Sequence, residues 1–560
     1  MPEPSHRRLS QFRVLYRVFW LRVVDLEVLS PDSDTQRLLG HIAVMLAGIS
    51  VLFTAPLVLV GGGLPQSDLW TVEHLFIATT MTVVGLLSTL SWESSCPDRR
   101  DLLVLGPLPV RVRTVFLAKL SALAGVLSFS IVSLNCFIGL VWPFLFSNPG
   151  TGLLGDVRAI GAYWATITVV STFIFCCVLC LQGAAALLLP WQLFLRLSSL
   201  LQVCAFTLLL GGYFLEPSLE SIPALTAPAN QGLLRWLPSY WFLGLFQQFN
   251  GSMQPAFALL AARAWTGLII AASLALVLLS SAWFWRLQRA VEQPDILPGR
   301  SGVLALPRLS SPVETAVVQF ALRSLLRSRQ HRLFYAFYLC LGLALSLFST
   351  GTAQIRLEPV AKSGQLPAPY LAASLMALCF AMLGLRLVVA IPVALRANWI
   401  FQLTQIHAPG VYVRAVRQTL LGLSVVPVWL LISAAMLWQF PVWTTLVHLL
   451  ALWIVGSILI DIALMSLHKL PFACSYLPGK AKLHLLFWIG IILGIPMANQ
   501  AGSFESWFLI SGLRSALLIA VLASCAIATR RSAVRRGRRI ERMIFQEEEA
   551  LDLIILQLNS

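Results

Sequence analysis

Charged residues are scarce in this chain of 560 residues. Asp, Glu, Lys and Arg together make up 11%, and the acidic residues number only 24. Hydrophobic residues make up 58%, and the mean hydropathy is +0.81. A soluble globular protein cannot keep so much apolar surface away from water, so this composition excludes a soluble fold. The sequence therefore predicts a polytopic membrane protein.

The chain also lacks the motifs of common catalytic and metal-binding sites. LPGKAK at 477–482 has neither the upstream glycine nor the hydroxyl residue of a phosphate-binding loop. HExxH and GxSxG motifs are absent, and the 8 His and 10 Cys show no metal-ligand or disulfide spacing. Cys176, Cys177 and Cys180 fall inside an apolar run, where small apolar filler is favoured over a metal site. We expect a chain that is not an enzyme and that binds no metal or cofactor itself.

Long apolar runs dominate what is present. A transmembrane helix needs ~20 mostly apolar residues, and about twelve such runs can be distinguished. The predicted spans cover 38–62, 71–92, 115–147, 159–188, 191–215, 256–285, 333–350, 368–395, 418–438, 441–467, 483–498 and 505–529.

The formal net charge of +16 does not indicate a nucleic-acid partner, because of where the cations lie. If the N-terminus is cytoplasmic, twelve spans return the C-terminus to the cytoplasm and place most of the 40 Lys and Arg there. The exceptions are Arg158, Arg235, Arg356 and Lys362 outside, and Arg263, Arg386 and Arg514 within spans. This is the positive-inside pattern of a protein of the plasma or bacterial inner membrane, with membrane lipid as the partner of its basic residues.

Two arginine-rich segments of the same spacing, R-x3-R-x4-R, precede the first and the seventh span. They contain Arg13, Arg17 and Arg22 in one case and Arg323, Arg327 and Arg332 in the other. Apolar residues lie between the arginines in both segments. Each segment is therefore predicted to form an amphipathic elbow helix in the cytoplasmic interface, with the arginines toward lipid headgroups.

A second correspondence links the loops after the second and the eighth span. PDRRDLLVLGPLPVRVR in the first loop and NWIFQLTQIHAPGVYVR in the second each place a proline turn before basic residues that enter the next span. Two matches in the same order predict two parallel six-helix repeats. The predicted division is a first half at 1–290, a linker at 291–312, a second half at 313–535 and a cytoplasmic tail at 536–560.

The same two loops combine exposed charge with apolar anchors. The candidate docking residues are Asp98, Arg99, Arg100, Asp101 and Leu102 in the first loop and Asn398, Trp399, Phe401 and Gln402 in the second. Arginine and aromatic residues are common anchors of protein interfaces. A loop that only sets the topology is the alternative, but it would need neither the acidic pair nor Trp399.

Four of the charged residues in predicted spans are taken as functional candidates because charge is costly there. They are Asp461, Arg386, Arg263 and Arg514. For Asp461, pairing with an arginine of a neighbouring helix is favoured over a role as proton relay. Arg263 and Arg514 either extend toward the outer interface or line a path for an anionic substrate.

The order of these features resembles the permease subunits of type-two ATP-binding-cassette exporters, with two six-span halves fused in one chain. The features that carry the resemblance are the elbow segments at 10–28 and 313–332, the loop segments at 93–114 and 396–414, and the aromatic-rich segment at 230–250. The resemblance implies that 93–114 and 396–414 dock on separate ATPase subunits, expected as a dimer. ATP and magnesium would bind in those partners, and the transported substrate is unknown.

A twelve-span, ion-coupled secondary transporter is the alternative function. Such a transporter would also have parallel halves and a basic central loop, and it would be expected to carry several buried carboxylates. The predicted spans offer one clear mid-span carboxylate, Asp461, and this favours the first interpretation.

Overall fold

The computed structural model describes residues 4–24, 43–51, 54–55, 66–92, 105, 107–146, 152–216, 219, 222–252, 254–292, 312–356, 366–390, 409–465, 472 and 483–538. All regular structure in these ranges is helical. The helices group into two compact units, Met1–Arg300 and Ser301–Ser560.

Eight helices in the described ranges are long and apolar enough to cross a membrane. They contain Trp70–Leu90, Val112–Asn135, Gly152–Leu188, Pro255–Trp283, Ala368–Val389, Val413–Gln439, Val442–Met465 and Gly512–Arg536. Helices are the expected form, because a backbone in hydrocarbon must satisfy its own hydrogen bonds. The chain is thus an all-α, multi-pass membrane protein, as the composition predicts.

The helices of the first unit fall into long apolar helices and short connecting ones. In chain order they are α1 (Pro4–Val24), α2 (Gln66–Leu90), α3 (Val112–Asn135), α4 (Ile138–Phe146), α5 (Gly152–Leu188), α6 (Trp191–Leu215), α7 (Ile222–Thr226), α8 (Pro228–Leu234), α9 (Pro238–Phe249) and α10 (Pro255–Glu292). A further helical stretch covers residues 43–51.

Helix α2 lies at the centre of the first unit, where it contacts α3, α5, α6 and α9. Asn135 at the end of α3 ties three helices together, since its Oδ1 accepts hydrogen bonds from Thr80 of α2 (3.2 Å) and Tyr163 of α5 (2.7 Å). Such hydrogen bonds help to hold helices together in a membrane, where burial of apolar surface drives association less than in water.

Close packing of α9 on α10 depends on one glycine. A Cβ atom added at Gly244 would lie 2.4 Å from the Leu260 Cβ and 2.9 Å from the Phe257 carbonyl oxygen, both on α10. Because the backbone of α10 cannot move away easily, α9 can approach only where a side chain is missing. The aromatic-rich segment predicted at 230–250 therefore packs as α8 and α9 against the helices of its own unit.

The second unit is built around α13. Its helices are α11 (Pro312–Arg327), α12 (Arg329–Arg356), α13 (Ala368–Ala390), α14 (Pro409–Leu420), a π-helical turn (Leu421–Val425), α15 (Val426–Gln439), α16 (Val442–Met465), α17 (Leu483–Phe508) and α18 (Gly512–Arg538). Helix α13 contacts α12, α15, α16 and α17, whereas α18 packs on α16 and α14.

The π-helical turn has a cause in the sequence. Pro427 follows it and has no N–H to donate to the carbonyl of Leu423, four residues earlier. The Tyr335 hydroxyl of α12 donates to this carbonyl oxygen instead. A buried carbonyl that a proline leaves without its helical partner is thus satisfied by a neighbouring helix, as a membrane interior requires.

The predicted third span, 115–147, is two helices rather than one. Helix α3 ends at Asn135, and α4 begins at Ile138. The Asn135 side-chain amide donates to the Ile131 carbonyl oxygen at 3.0 Å and so competes with the backbone hydrogen bond that would continue the helix. The released Ile138 N–H donates to Ser50 Oγ at 3.1 Å.

The external connection predicted near 498–505 is helical, because α17 continues to Phe508. Gly502 lets α17 approach α13 closely: an added Cβ would lie 2.6 Å from the Ala368 carbonyl oxygen. This tight contact extends the helix through a segment whose polar residues predict a loop. At its other end the unit also exceeds the prediction, since α18 extends to Arg538, beyond the limit at 535.

Candidate functional site

The predicted docking residues themselves lie outside the described residues. This holds for Asp98, Arg99, Arg100, Asp101 and Leu102, and for Asn398, Trp399, Phe401 and Gln402. The junctions that join these two loops to the helices are described, and they form the candidate functional site.

In the first unit, Pro107, Leu108 and Pro109 form a compact turn before α3. The Leu108 N–H donates to the Leu105 carbonyl oxygen at 3.1 Å, and Arg111 has an extended backbone that begins α3. Pro107, Leu108 and Pro109 are exposed, and the Leu108 side chain is 49% accessible. The turn is therefore an exposed apolar surface with a fixed backbone.

This turn is anchored on the elbow helix. Leu105 and Val110 flank it and pack against a cluster formed by Leu15 and Phe19 of α1 and by Ala118 and Ala122 of α3. The small alanines let the two helices approach each other closely. A force applied to the turn is therefore transmitted to α1 and α3 together rather than absorbed by a loose loop.

Two of the elbow arginines of α1 lie on its exposed side. Arg13 and Arg17 are exposed, and Arg22 lies on the same helix. Val14, Val18 and Leu21 form an exposed apolar stripe beside them. Helix α1 thus divides its apolar residues between contact with α3 and an exposed surface of the kind that enters a lipid interface.

A buried lysine joins α3 to both of its neighbours at this junction. The Lys119 Nζ lies 5.6 Å from the ring centre of Phe19 in α1 and 5.8 Å from that of Trp283 in α10. These are cation–π distances, and the interaction strengthens when the cation is removed from water, as it is for Lys119.

The corresponding junction of the second unit uses ion pairs. Glu314 of α11 is fully buried, and its Oε1 accepts a hydrogen bond from Arg414 Nε of α14 at 2.8 Å. Arg414 itself is half exposed, so its outer nitrogens remain accessible to water and headgroups. Arg323 and Arg327 of α11 are exposed.

The elbow motif is interrupted in this unit. Helix α11 ends at Arg327, and Arg332 lies in the next helix, α12, after a break at Ser328. The three arginines of the second R-x3-R-x4-R segment are therefore divided between two helices, whereas those of the first segment share α1. Ser328 supports the break, since its side chain hydrogen bonds with His331 at the start of α12.

Asp461 is held between two arginines. Its side chain is 1% exposed, and Oδ1 lies 2.9 Å from Arg417 Nε of α14 and 3.4 Å from Arg530 Nη1 of α18. The favoured interpretation of Asp461, pairing with arginines of neighbouring helices, agrees with these contacts. The carboxylate links three helices of the second unit at the same end as the Glu314–Arg414 pair.

The other predicted intramembrane charges have different surroundings. Arg514 is exposed, and its guanidinium lies 4.3 Å from the ring centre of Trp507. Arg263 is half buried on α10, with Nη1 buried and without a hydrogen-bond partner among the described residues. Arg386 is half buried near the end of α13 and has a polar or ring contact.

The opposite end of each unit carries a histidine beside a carboxylate. In the first unit, His74 of α2 stacks on Tyr240 with ring centres 3.9 Å apart, and its Nε2 lies 3.4 Å from Glu216 Oε1. The neighbouring Glu73 accepts a hydrogen bond from Gln247 of α9. These contacts join the start of α2, the end of α6 and α9.

In the second unit, a hydrogen-bonded chain runs from Ser374 of α13 through His448 of α16 to Glu505 of α17. His448 Nε2 lies 2.8 Å from Ser374 Oγ, and Nδ1 lies 2.8 Å from Glu505 Oε1. The order Ser–His–Glu is that of a nucleophilic triad, and the Ser374 Oγ also lies 2.7 Å from the Leu371 carbonyl oxygen.

Sequence reasoning missed both of these clusters. Glu73 and His74 lie inside the predicted second span, and His448 lies inside the predicted tenth. An ionisable residue in a span is a functional candidate whatever its depth, so these three positions could have been named. Glu216 and Glu314 could not, because each lies at a helix end that the sequence placed in a loop or interface. Glu505 is the first residue of the predicted twelfth span, where the same rule applies.

Two further observations limit the chemistry of the chain. Within the described residues, no group of three or more His, Cys, Asp or Glu side chains is placed to hold a metal ion. Cys180 of the CCVLC cluster donates from Sγ to the Ala271 carbonyl oxygen at 3.3 Å, which is a helix-packing contact between α5 and α10.

The chain was also compared with known proteins. No protein-family model, curated protein or solved structure matches the chain.

Proposed function

We propose that this chain is the membrane permease of an ABC-type exporter, with two six-span halves, driven by separate ATPase subunits that dock at 93–114 and 396–414. The observation that carries the proposal is the exposed turn Pro107–Pro109, anchored through Leu105 and Val110 to α1 and α3. A partner that pushes on such a turn moves the start of a membrane-spanning helix.

The order of helix contacts in the two units supports the repeat on which this proposal depends. The pairs α1–α3, α2–α5, α2–α6 and α5–α10 of the first unit have the counterparts α11–α14, α13–α16, α13–α17 and α16–α18 in the second. In both units the elbow helix thus contacts the helix that follows the predicted docking loop. Parallel repeats of this kind are common in membrane transporters.

The mechanism follows from the junctions. ATP binding brings the two ATPase subunits together, and their movement displaces the docking loops. In the first unit the displacement reaches α3 and α10 through Lys119, Phe19 and Trp283. In the second it reaches α16 and α18 through Arg417, Asp461 and Arg530. The chain contributes no catalytic residue and converts a shift in its partner into altered access to the transport path.

Co-purification with candidate ATPases tests the proposal. Wild type is expected to retain an ATPase, whereas Arg99→Glu/Arg100→Glu and Trp399→Ala are expected to lose it. Leu108→Asp, which places a charge on the exposed turn, is expected to have the same effect. The matched control is Leu154→Asp, since Leu154 is also exposed but lies at the far end of α3's neighbour α5.

The proposal is wrong if no ATPase is retained by wild type and transport continues in membranes that lack ATP. It is also wrong if Leu108→Asp and Leu154→Asp retain the ATPase equally while both variants fold, because the turn would then be only a topological element.

A proton-coupled secondary transporter remains the second candidate, and the Ser374–His448–Glu505 chain favours it. Ser374 Oγ lies within hydrogen-bond distance of both the Leu371 carbonyl oxygen and Nε2 of His448, and Nδ1 of the same ring contacts Glu505. The direction of both histidine bonds depends on the tautomer of the ring. A buried imidazole between a hydroxyl and a carboxylate is an arrangement that a proton-coupled transporter could use.

Collapse of the proton gradient separates the two functions. A proton-coupled transporter stops when the gradient is removed at constant ATP, and His448→Gln uncouples it while the protein stays folded. An ATP-driven permease continues to transport when the proton gradient is removed at constant ATP, and it stops when ATP is removed.

A further inference from the structure

Three arginines at one end of the second unit share two buried carboxylates. Glu314 of α11 accepts a hydrogen bond from Arg414 of α14. Asp461 of α16 pairs with Arg417 of α14 and with Arg530 of α18. Because arginine stays charged in proteins, the cluster sets three positive charges against two negative ones. Its ion pairs among the described residues therefore leave one positive charge without a counter-charge.

The two carboxylates fix the arginine side chains without using all of their donors. Arg414 and Arg417 each donate from Nε, so these bonds leave both Nη groups of each guanidinium for another acceptor. The side chains of the two residues are 52% and 22% exposed, and that of Arg530 is 32% exposed. Paired guanidinium nitrogens bind phosphate oxygens well, because the planar fork matches their spacing. The cluster is therefore a set of oriented donors that an anion from outside the chain can reach.

The donors lie close enough together to bind one anion. Arg414 and Arg417 are three residues apart and so lie on the same side of α14. Arg417 and Arg530 contact the same oxygen atom of Asp461, and their guanidiniums are therefore neighbours. Two like charges so close repel each other unless anions lie beside them. Asp461 supplies one negative charge, and a phosphate bound next to it would supply the second.

An exposed apolar stripe of α18 leads to this cluster. One face of the helix carries, at spacings of three, four and seven residues, the exposed residues Leu513, Leu517, Ala520, Ile527, Arg531 and Arg535. Ser524 lies on the same face, and its hydroxyl donates to the Ala520 carbonyl oxygen at 2.8 Å. Arg531 follows Arg530 directly in the chain. The stripe is thus apolar over most of its length and ends in arginines beside the cluster.

The dimensions of the stripe identify a lipid as the source of the anion. Helix α18 contains one of the segments long and apolar enough to cross a membrane. Between Leu517 and Ile527 it rises roughly 15 Å at 1.5 Å per residue, which is half of a hydrocarbon core about 30 Å thick. Arg531 lies roughly 6 Å further along, at the depth of a phosphate group. A single lipid of that leaflet can therefore contact the stripe with its acyl chains and the arginines with its phosphate.

We propose that this end of the second unit binds one anionic phospholipid, whose phosphate is held by Arg417, Arg530 and Arg531 and whose acyl chains lie along α18. The lipid has a net negative charge, because a zwitterionic headgroup would bring another cation to a cluster that already has one in excess. Unlike the general attraction of basic helices to headgroups, this site has donors that two buried carboxylates hold in place. Binding of the lipid requires neither an ATPase nor transport, so it does not rest on the proposed function.

Native mass spectrometry of the full chain, purified in detergent and freed of lipid, tests the site. The probes are phosphatidylglycerol, phosphatidylcholine with the same acyl chains, and glycerol 3-phosphate, which offers a phosphate without acyl chains. We expect one phosphatidylglycerol to bind about tenfold more tightly than phosphatidylcholine, as one charge-assisted contact allows. Glycerol 3-phosphate at the same concentration is expected not to displace it. Bound phosphatidylglycerol should also raise the thermal unfolding midpoint, because it binds the folded chain.

Two variants and two matched controls decide the result. Arg531→Gln is expected to lower the affinity for phosphatidylglycerol about tenfold, and its unfolding midpoint without lipid should equal that of wild type, because Arg531 is exposed. Arg113→Gln, at an exposed position of α3, should bind the lipid as wild type does. Ile527→Glu, which places a carboxylate one turn before Arg531, is expected to weaken binding as well. Its control is Ile269→Glu, at an exposed position of α10.

The proposal is overturned if phosphatidylglycerol and phosphatidylcholine bind equally well. It is also overturned if Arg113→Gln weakens binding as much as Arg531→Gln, because the lipid would then be attracted by the basic surface in general. Displacement by glycerol 3-phosphate at equal concentration would assign the arginines to a free phosphate instead of a lipid. Equal binding by Ile527→Glu and Ile269→Glu would contradict the contact of the acyl chains with α18.

Discussion

The two elbow junctions have the same neighbours but different chemistry. In the first unit, α1 meets α3 through apolar packing and the ring faces around Lys119. In the second, α11 meets α14 through the Glu314–Arg414 ion pair, and a carboxylate with two arginines continues the connection to α16 and α18. The same arrangement of neighbouring helices is therefore compatible with two kinds of contact to a buried or half-buried cation, one made by aromatic rings and one made by carboxylates.

The difference matters for how each junction responds to its surroundings. Cation–π and apolar contacts change little with ionic strength, whereas a half-exposed ion pair is screened by salt. Loss of a buried carboxylate also leaves other charges without partners, which loss of a ring contact does not. The second junction should be the more fragile to mutation and the more sensitive to salt.

The largest effect is expected for Asp461→Asn. It leaves Arg417 and Arg530 facing a neutral amide in a buried setting, and breaking such a pair costs about 3 kcal/mol. A clear fall in the thermal unfolding midpoint of the detergent-purified chain would be observed. Asp156→Asn, in the first unit, serves as the control, and equal midpoints for the two variants would contradict the structural role of Asp461.

A smaller loss is expected for Arg414→Gln. Glu314 keeps its burial but loses the charged donor at 2.8 Å, and a hydrogen bond to a charged group contributes about 2 kcal/mol. The unfolding midpoint should fall less than for Asp461→Asn. Arg323→Gln, on the exposed side of α11, should leave it unchanged. A midpoint for Arg414→Gln equal to that of Arg323→Gln would show that the pair does not hold α11 to α14.

Lys119→Met is expected to cost less again. Methionine preserves the apolar stem between Phe19 and Trp283, and the cation–π contribution of about 1 kcal/mol is removed. The midpoint is compared with that of Arg113→Met, an exposed position of the same helix. If Lys119→Met proved as damaging as Asp461→Asn, the contrast between the two junctions would be lost.

The smallest effect is expected from salt alone. Raising the ionic strength from about 0.1 to 1 M shortens the screening length from about 10 to 3 Å. The wild-type midpoint should fall slightly, Lys119→Met should fall by the same amount, and Arg414→Gln should fall less. Unfolding curves recorded in parallel at both salt concentrations check the order. If the midpoint of Arg414→Gln falls with salt as much as that of wild type does, contacts other than the Glu314–Arg414 pair cause the salt sensitivity.

The fold class could be predicted from composition, because a run of ~20 apolar residues has few alternatives to a membrane helix. Helix ends were harder. Asn135 ends α3 through a side-chain contact, and Gly502 extends α17 through a helix contact. No local sequence pattern distinguishes Asn135 or Gly502 from an asparagine or a glycine that leaves the end of a membrane helix unchanged.

For the charged contacts, too, the sequence indicates one part and the packing decides the other. The cost of a carboxylate inside a span made Asp461 a candidate from the sequence alone, and the same rule could have named His448, which was missed. The partners of both residues come from helices 44 to 74 positions away in the chain. No spacing rule connects residues so distant, so the identity of Arg417 and Ser374 as partners had to come from the packing.

The amino-acid sequence by itself determined that this protein crosses a membrane with helices, since this follows from transfer free energies that each residue contributes separately. Only the tertiary structure decided that the Pro107–Pro109 turn is anchored to α1 and that Asp461 holds two arginines. Those features depend on which helix faces lie against each other, and many weak contacts from distant parts of the chain choose them together.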